Sequence, residues 1–167
     1  MEKGGEPYIP HVEALVERAI PAELSVFDYW QLNKQKIAAQ QEQLKKWTDF
    51  RSPSGHKIDI VLSPTMPHGV VPHQSCKWVG YTKIWNVLDY TALTMPVKSS
   101  SHKTDEPATS YEPRNSIDEW NWSLYDKNTT NSGYVSIQII GRRLEEEKVL
   151  GAAKVLDRTF GQGRHRV

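Results

Sequence analysis

The sequence predicts an α/β fold, a partial mixed sheet flanked by helices. Three observations carry that expectation: short apolar strand segments, helical periods between and after them, and 167 residues, enough for one domain with a real core. The strand segments are "KIDIVLSP" (57–64), "TALTMPV" (91–97) and "YVSIQII" (134–140). Three strands joined by long connections leave edges uncovered, so the sheet reads as part of a larger one.

Taken in order, "ELSVFDYWQLNKQKIAAQQEQLKKWTDF" places Phe27, Trp30, Ile37, Leu44 and Trp47 at helical intervals. Ser25 and Asp28 have the spacing of a capping box at its start, and Pro53 and Gly55 stop it. In the first strand, Ile58, Ile60 and Leu62 share one face, and Asp59, Val61 and Ser63 share the other. "YTKIWNVLDY" reads as a short helix capped by Thr82 that presents Ile84, Val87 and Leu88. Residues 98–132 are rich in Ser, Thr, Asn, Asp and Pro, which predicts a long irregular loop at about 99–132. The third strand turns Val135, Ile137 and Ile139 one way. A closing helix then lines up Leu144, Val149, Ala152, Ala153, Leu156 and Phe160, with Glu145, Glu146 and Glu147 in its first turn, Arg158 in its last and Gly161 as C-cap.

Charge excludes some functions. Twenty-one basic residues against twenty acidic ones leave no basic footprint for nucleic acid. Cys76, the single cysteine, forbids an internal disulfide and is compatible with a reducing compartment. No apolar run reads as a signal peptide or a membrane span, so the expected setting is soluble and cytoplasmic. Asn121 and Asn128 stand in "NWS" and "NTT", sequons that are chance matches without a secretory leader.

The common catalytic motifs G-x-S-x-G, Walker A and G-x-G-x-x-G are missing from the chain. His68, His73 and Cys76 are zinc-ligand types, but their spacing fits no metal signature and "PHGVVPHQSC" reads better as a polar loop. Lys98 beside Ser99, Ser100 and Ser101 invites a serine/lysine reading, yet "SSSHKTDE" has no glycine to aim backbone N–H groups at an oxyanion, and a flexible loop explains it better. The three glutamates suit the positive end of a helix more than acid/base chemistry. Arg142 and Arg143 are placed to grip an anion or to pair with those glutamates.

Four blocks carry a family resemblance: "GEPYIP" with the long amphipathic segment after it, "IDIVLSPTMPHGVVPH", "YTKIWNVLDYTALTMPV" and "VSIQIIGRRLEEEKVLGAAKVLDRTFG". In this order and spacing they resemble the C-terminal part of the amidase signature family, in its fungal general amidase and acetamidase branch. The resemblance implies the C-terminal part of that fold and, in the intact family, hydrolysis of carboxamides to the acid and ammonia or an amine. There a Ser, cis-Ser and Lys triad forms a serine acyl-enzyme. Those residues belong to the family's N-terminal half, so no catalytic residue, metal or cofactor is carried over onto this chain. The resemblance does imply a possible pocket wall at Pro64, Trp85 and Asn86, and a sheet-bracing role for Gln138. Thr91 and Tyr134 stand where the family often has proline, which bears on rigidity rather than chemistry.

Two functional readings follow. The first is the C-terminal portion of an amidase, inactive alone and acting on a small amide only when an N-terminal half completes it. The second is a non-catalytic binding or regulatory relic of an amidase. An unrelated α/β domain is the third, bland alternative. Partners expected on either functional reading exclude nucleic acid and membranes, and include association through an exposed sheet edge.

Overall fold

The computed structural model describes residue 5 and residues 23–69, 71–73, 75–99, 110–124 and 134–161, with 98, 99 and 161 described by backbone alone. The chain divides into two compact units, residues 1–38 and 39–167.

In the first unit the described segment is the opening half of helix α1 (Val26–Asp49). Its start follows the capping signal. The Asp28 N–H donates to Ser25 Oγ at 3.1 Å, and the Ser25 hydroxyl donates to Asp28 Oδ2 at 2.6 Å. One orphan N–H of the first turn is thereby satisfied, with the carboxylate near the positive end of the helix. Phe27, Trp30 and Ile37 do share a side of α1, and all three are exposed.

The second unit holds the sheet, in the order β1-β3-β2, with β1 at Val61–Pro64, β2 at Thr91–Ser99 and β3 at Tyr134–Gly141. Both pairings are antiparallel, so the sheet expected to be mixed is antiparallel among its described strands. The first strand is also shorter than its apolar pattern: Lys57 makes only an isolated bridge to Arg51, and the ladder begins at Val61. Pro96, which has no N–H to give, precedes a register shift in β2 before Lys98. As the central strand, β3 is the most deeply covered, with Ile139 and Ile140 fully buried.

Met95, Ile139 and Val149 form the core, joined by Leu93, Ile137, Ala152 and Leu156. Helix α4 (Glu146–Gly161) therefore covers the β3 face that carries Ile137 and Ile139. The approach is close at Gly141, where an added Cβ would lie 2.6 Å from Val149 Cγ2. Leu144 departs from its expected place on the helical stripe. It is exposed and sits at φ +61°, outside α4, because the chain turns there to bring Glu145 back onto the Arg142 N–H.

Two shorter helices complete the unit. Helix α2 (Gly80–Leu88) has Val79 at its N-cap and no side-chain cap. Thr82 is not the cap; its hydroxyl donates to the Val79 carbonyl at 3.1 Å. Helix α3 (Ser116–Ser123) lies inside the stretch read as irregular. Asn115 caps it, accepting from the N–H groups of Ile117 and Asp118 at 3.0 Å each. Eight residues with only Ile117, Trp120 and Trp122 as large apolar groups give too short a period to detect, although Asn115 with Asp118 and Glu119 was a legible start signal.

Candidate functional site

A concavity of about 690 Å³ is lined by the loop residues Pro67 and Trp78, by Tyr81 on α2, and by Tyr111, Arg114, Ile117 and Asn121 on and before α3. Its wall is aromatic for a local reason. The Trp78 ring lies over Gly80, where a Cβ would come within 2.0 Å of the indole, and meets the Tyr81 ring edge-on at 5.0 Å. Only glycine leaves room for that fold-back. Across the cavity Tyr111 stacks on Trp122 with centroids 4.4 Å apart.

The rim is polar and ordered by Asp118. Its Oδ2 accepts the Tyr111 hydroxyl at 2.6 Å and the Arg114 N–H at 3.0 Å. The Arg114 N–H, then the Tyr111 hydroxyl, hold the Asp118 carboxyl below its ordinary range. The same bond to Asp118 raises the Tyr111 phenol. Such a rim binds and orients. It carries no cysteine, histidine or lysine among its described lining residues, and its carboxylate is already receiving two donors.

Asn121, which lines this cavity, has a buried Oδ1 with no hydrogen-bond partner, and Thr65 Oγ1 and both ring nitrogens of His68 are likewise buried without one. His68 packs edge-on against Trp120 at 5.6 Å, and burial pushes its imidazole below the ordinary value. Gln138 is the opposite case. It is 2% exposed, and its amide nitrogen donates to the Pro64 carbonyl at 3.0 Å and to the Tyr81 carbonyl at 2.7 Å. Burying an unpaired amide costs about 1–3 kcal/mol, a penalty these two bonds offset.

The residues singled out in the sequence fall in different places. Pro64 ends β1, and its carbonyl receives Gln138. Trp85 stacks on Tyr90 at 6.0 Å, and Tyr90 meets the buried Trp47 edge-on at 5.5 Å. Trp85 also borders a groove of about 250 Å³ between α2 and Ala39, Glu42, Gln43 and Lys46 of α1. Asn86 is exposed, and its carbonyl accepts the Asp89 N–H at the end of α2. Of the three, Trp85 lines the 250 Å³ groove, and neither Pro64 nor Asn86 is among the residues lining that groove or the 690 Å³ cavity.

Cys76 Sγ donates to the Trp78 carbonyl at 3.6 Å, and among the described residues no group of three His, Cys, Asp or Glu could hold a metal. The side chains of Lys98 and Ser99, all of Ser100 and Ser101, Asn128 and most of "GEPYIP" lie outside the described residues. Arg142 pairs with Glu145 at 2.6 Å, and Arg143 with Asp89 at 2.9 Å. Glu145 also receives Lys148, and these partners, Arg142 foremost, lower its carboxyl to about 2. Thr91, at a position where proline was expected, donates to Glu146 Oε1 at 3.0 Å. The residue that sequence reasoning undervalued is Tyr81: its neighbour Gly80 beside two aromatics was the available signal.

The profile of the Amidase family matches residues 7–150. The chain belongs to the amidase family. It is 52% identical over 147 residues to Amidase 2 of Gibberella moniliformis, a match covering 87% of this chain and 28% of that relative. It is 32% identical over 158 residues to the acetamidase of Aspergillus oryzae, covering 94% of this chain and 29% of the relative. Among solved structures, a fatty acid amide hydrolase superposes with a TM-score of 0.71 at 24% identity, covering 83% of this chain and 24% of that one, a likeness of fold. The chain spans less than a third of the length of these relatives. No helix among the described residues is long and apolar enough to cross a membrane.

Proposed function

We propose that this chain is the C-terminal portion of an amidase, supplying part of the substrate cleft of an enzyme that hydrolyses small carboxamides through a serine acyl-enzyme. The observation that carries the reading is the 52% identity to a fungal amidase over most of the chain. Nucleophile, bridging serine and lysine would come from the N-terminal portion, and this chain by itself would be inactive, since walls without a nucleophile stabilise no acyl transfer. Pro64, Trp85 and Asn86 stand as candidate substrate contacts in the assembled enzyme. Pro64 precedes the loop that enters the cavity wall, and Trp85 and Asn86 share a helix with Tyr81. The outer edges of β1 and β2, the outermost strands of the sheet among the described residues, are candidate surfaces for association. A cytosolic setting agrees with the free thiol of Cys76.

The test mixes the purified chain with the N-terminal portion of Amidase 2 of Gibberella moniliformis and follows ammonia release from acetamide and benzamide. Turnover only on mixing is the expected result. Turnover by the chain alone would show that it holds catalytic residues of its own. Silence on mixing, with both pieces folded, would favour the non-catalytic binding reading.

A further inference from the structure

We infer that Gln138 is a positioning residue for the aromatic cavity wall: it fixes Tyr81 against Trp78, so that the cavity favours a flat aryl amide over a small aliphatic one. The inference rests on the amidase reading and names its substrate class.

In β3, alternation places Gln138 on the face shared with Ser136 and Ile140, opposite the α4 core. A polar residue at the centre of a buried strand needs partners, and these two carbonyls belong to different segments. Pro64 closes β1 and leads to Pro67 in the cavity wall; Tyr81 opens α2 and lines the cavity itself. One amide nitrogen with two N–H groups therefore clips three segments together. The clip holds the Tyr81 backbone from one side, while on the other the Trp78 ring folds over Gly80 and meets the Tyr81 ring at 88°.

The cavity these rings bound has Pro67 and Ile117 as further apolar surface, with Arg114, Asn115 and Asn121 at polar positions. A planar ring stacks on such walls, and the amide it carries can reach the polar groups. Acetamide has nothing to stack. Selectivity between the two thus depends on Tyr81 staying in place, and through it on Gln138, which does not line the cavity.

Two substitutions separate this role from general stability. Gln138→Met keeps the length and removes both donors. Gln138→Glu sets a carboxylate against two carbonyl oxygens, and protonation of that carboxylate returns one donor. In the complemented enzyme, Gln138→Met is expected to lower the benzamide-to-acetamide ratio of kcat/KM about tenfold, through the KM for benzamide. With Gln138→Glu the ratio recovers as pH falls, a response that Gln138→Met lacks. Equal loss on both amides, or no change in the ratio, would overturn the inference.

Should the Gln138 variants fail to fold, Tyr81→Leu removes the ring from an exposed position and leaves the Tyr81 carbonyl in place; it should give the same benzamide-selective loss, and an unchanged ratio overturns the inference. A binding arm keeps the two proposals apart. Benzamide titrated against the 167-residue chain alone should quench tryptophan fluorescence, with about tenfold weaker binding in Gln138→Met. If the mixed wild-type pieces hydrolyse neither amide while this binding difference holds, the amidase reading fails and the positioning role stands. Absence of benzamide binding by the wild-type chain, or equal binding by the variant, overturns the positioning role.

Discussion

The face of β3 that meets α4 and the opening half of α1 carry equally clear apolar periods, and they end in opposite states. Ile139 is 0% exposed and Val149 1%, whereas Phe27 is 65% and Trp30 64% exposed. Periodicity says which side chains share a face; burial requires a second surface to cover it. Strand β3 has that surface twice over, with neighbours on both edges and α4 packed close at Gly141. In the opening half of α1, Phe27, Trp30 and Ile37 are exposed, in a chain whose relatives are more than three times longer.

Ile139→Ala makes the largest break in this comparison. A cavity at a fully buried position should cost about 2–5 kcal/mol, read as a lowered urea midpoint with unchanged slope. A loss under 1 kcal/mol would mean that the β3–α4 contact is not the principal core.

Next comes the electrostatic pin at the start of α4. Glu145 receives the Arg142 N–H, the Arg142 guanidinium and Lys148, and its side chain is only 18% exposed. Its folded pKa, about 2, lies below the ordinary 4.5. The stabilisation is therefore complete above pH 4.5 and lost as pH falls toward 2. Because Arg142 is partly exposed, the contribution is discounted to about 1–2 kcal/mol. Glu145→Gln should remove that amount at neutral pH and flatten the acid limb of the stability curve; an unchanged acid limb would assign it to other carboxylates.

The smallest stability effect is expected on α1. Ile37→Ser, at a half-exposed position, should change stability by no more than about 0.5 kcal/mol. Its visible effect should be on association, measured by sedimentation: the apolar stripe is interrupted, and the wild-type chain should self-associate more than the variant. Equal sedimentation of the two would show that the stripe is not an association surface.

The strands were legible because period-2 alternation of β-branched residues survives in short segments, as at Val135, Ile137 and Ile139. The α1 cap was legible because Ser25 and Asp28 act within one turn. Thr82 misled: the same residue type can accept as a cap or donate to a carbonyl, and the observed N-cap, Val79, lies three residues earlier. The cavity was not legible, because Trp78, Tyr81, Tyr111 and Asn121 are brought together by contacts between segments that no local pattern encodes. Pro64, Trp85 and Asn86 were chosen by resemblance, and in this structure Trp85 is engaged by Tyr90.

Sequence alone determined most of the local choices: the three strands and helices α1, α2 and α4, which residues share a face, and the family whose pattern they follow. These follow from backbone sterics and from side-chain spacings of 2 and 3.6 residues, which act over a few positions. Tertiary structure decided which faces are covered, how Gln138 finds two carbonyls 74 and 57 residues away, and where a wall of rings encloses space. Burial and hydrogen-bond satisfaction depend on what arrives from elsewhere in the chain, and that information exists only once the segments have met.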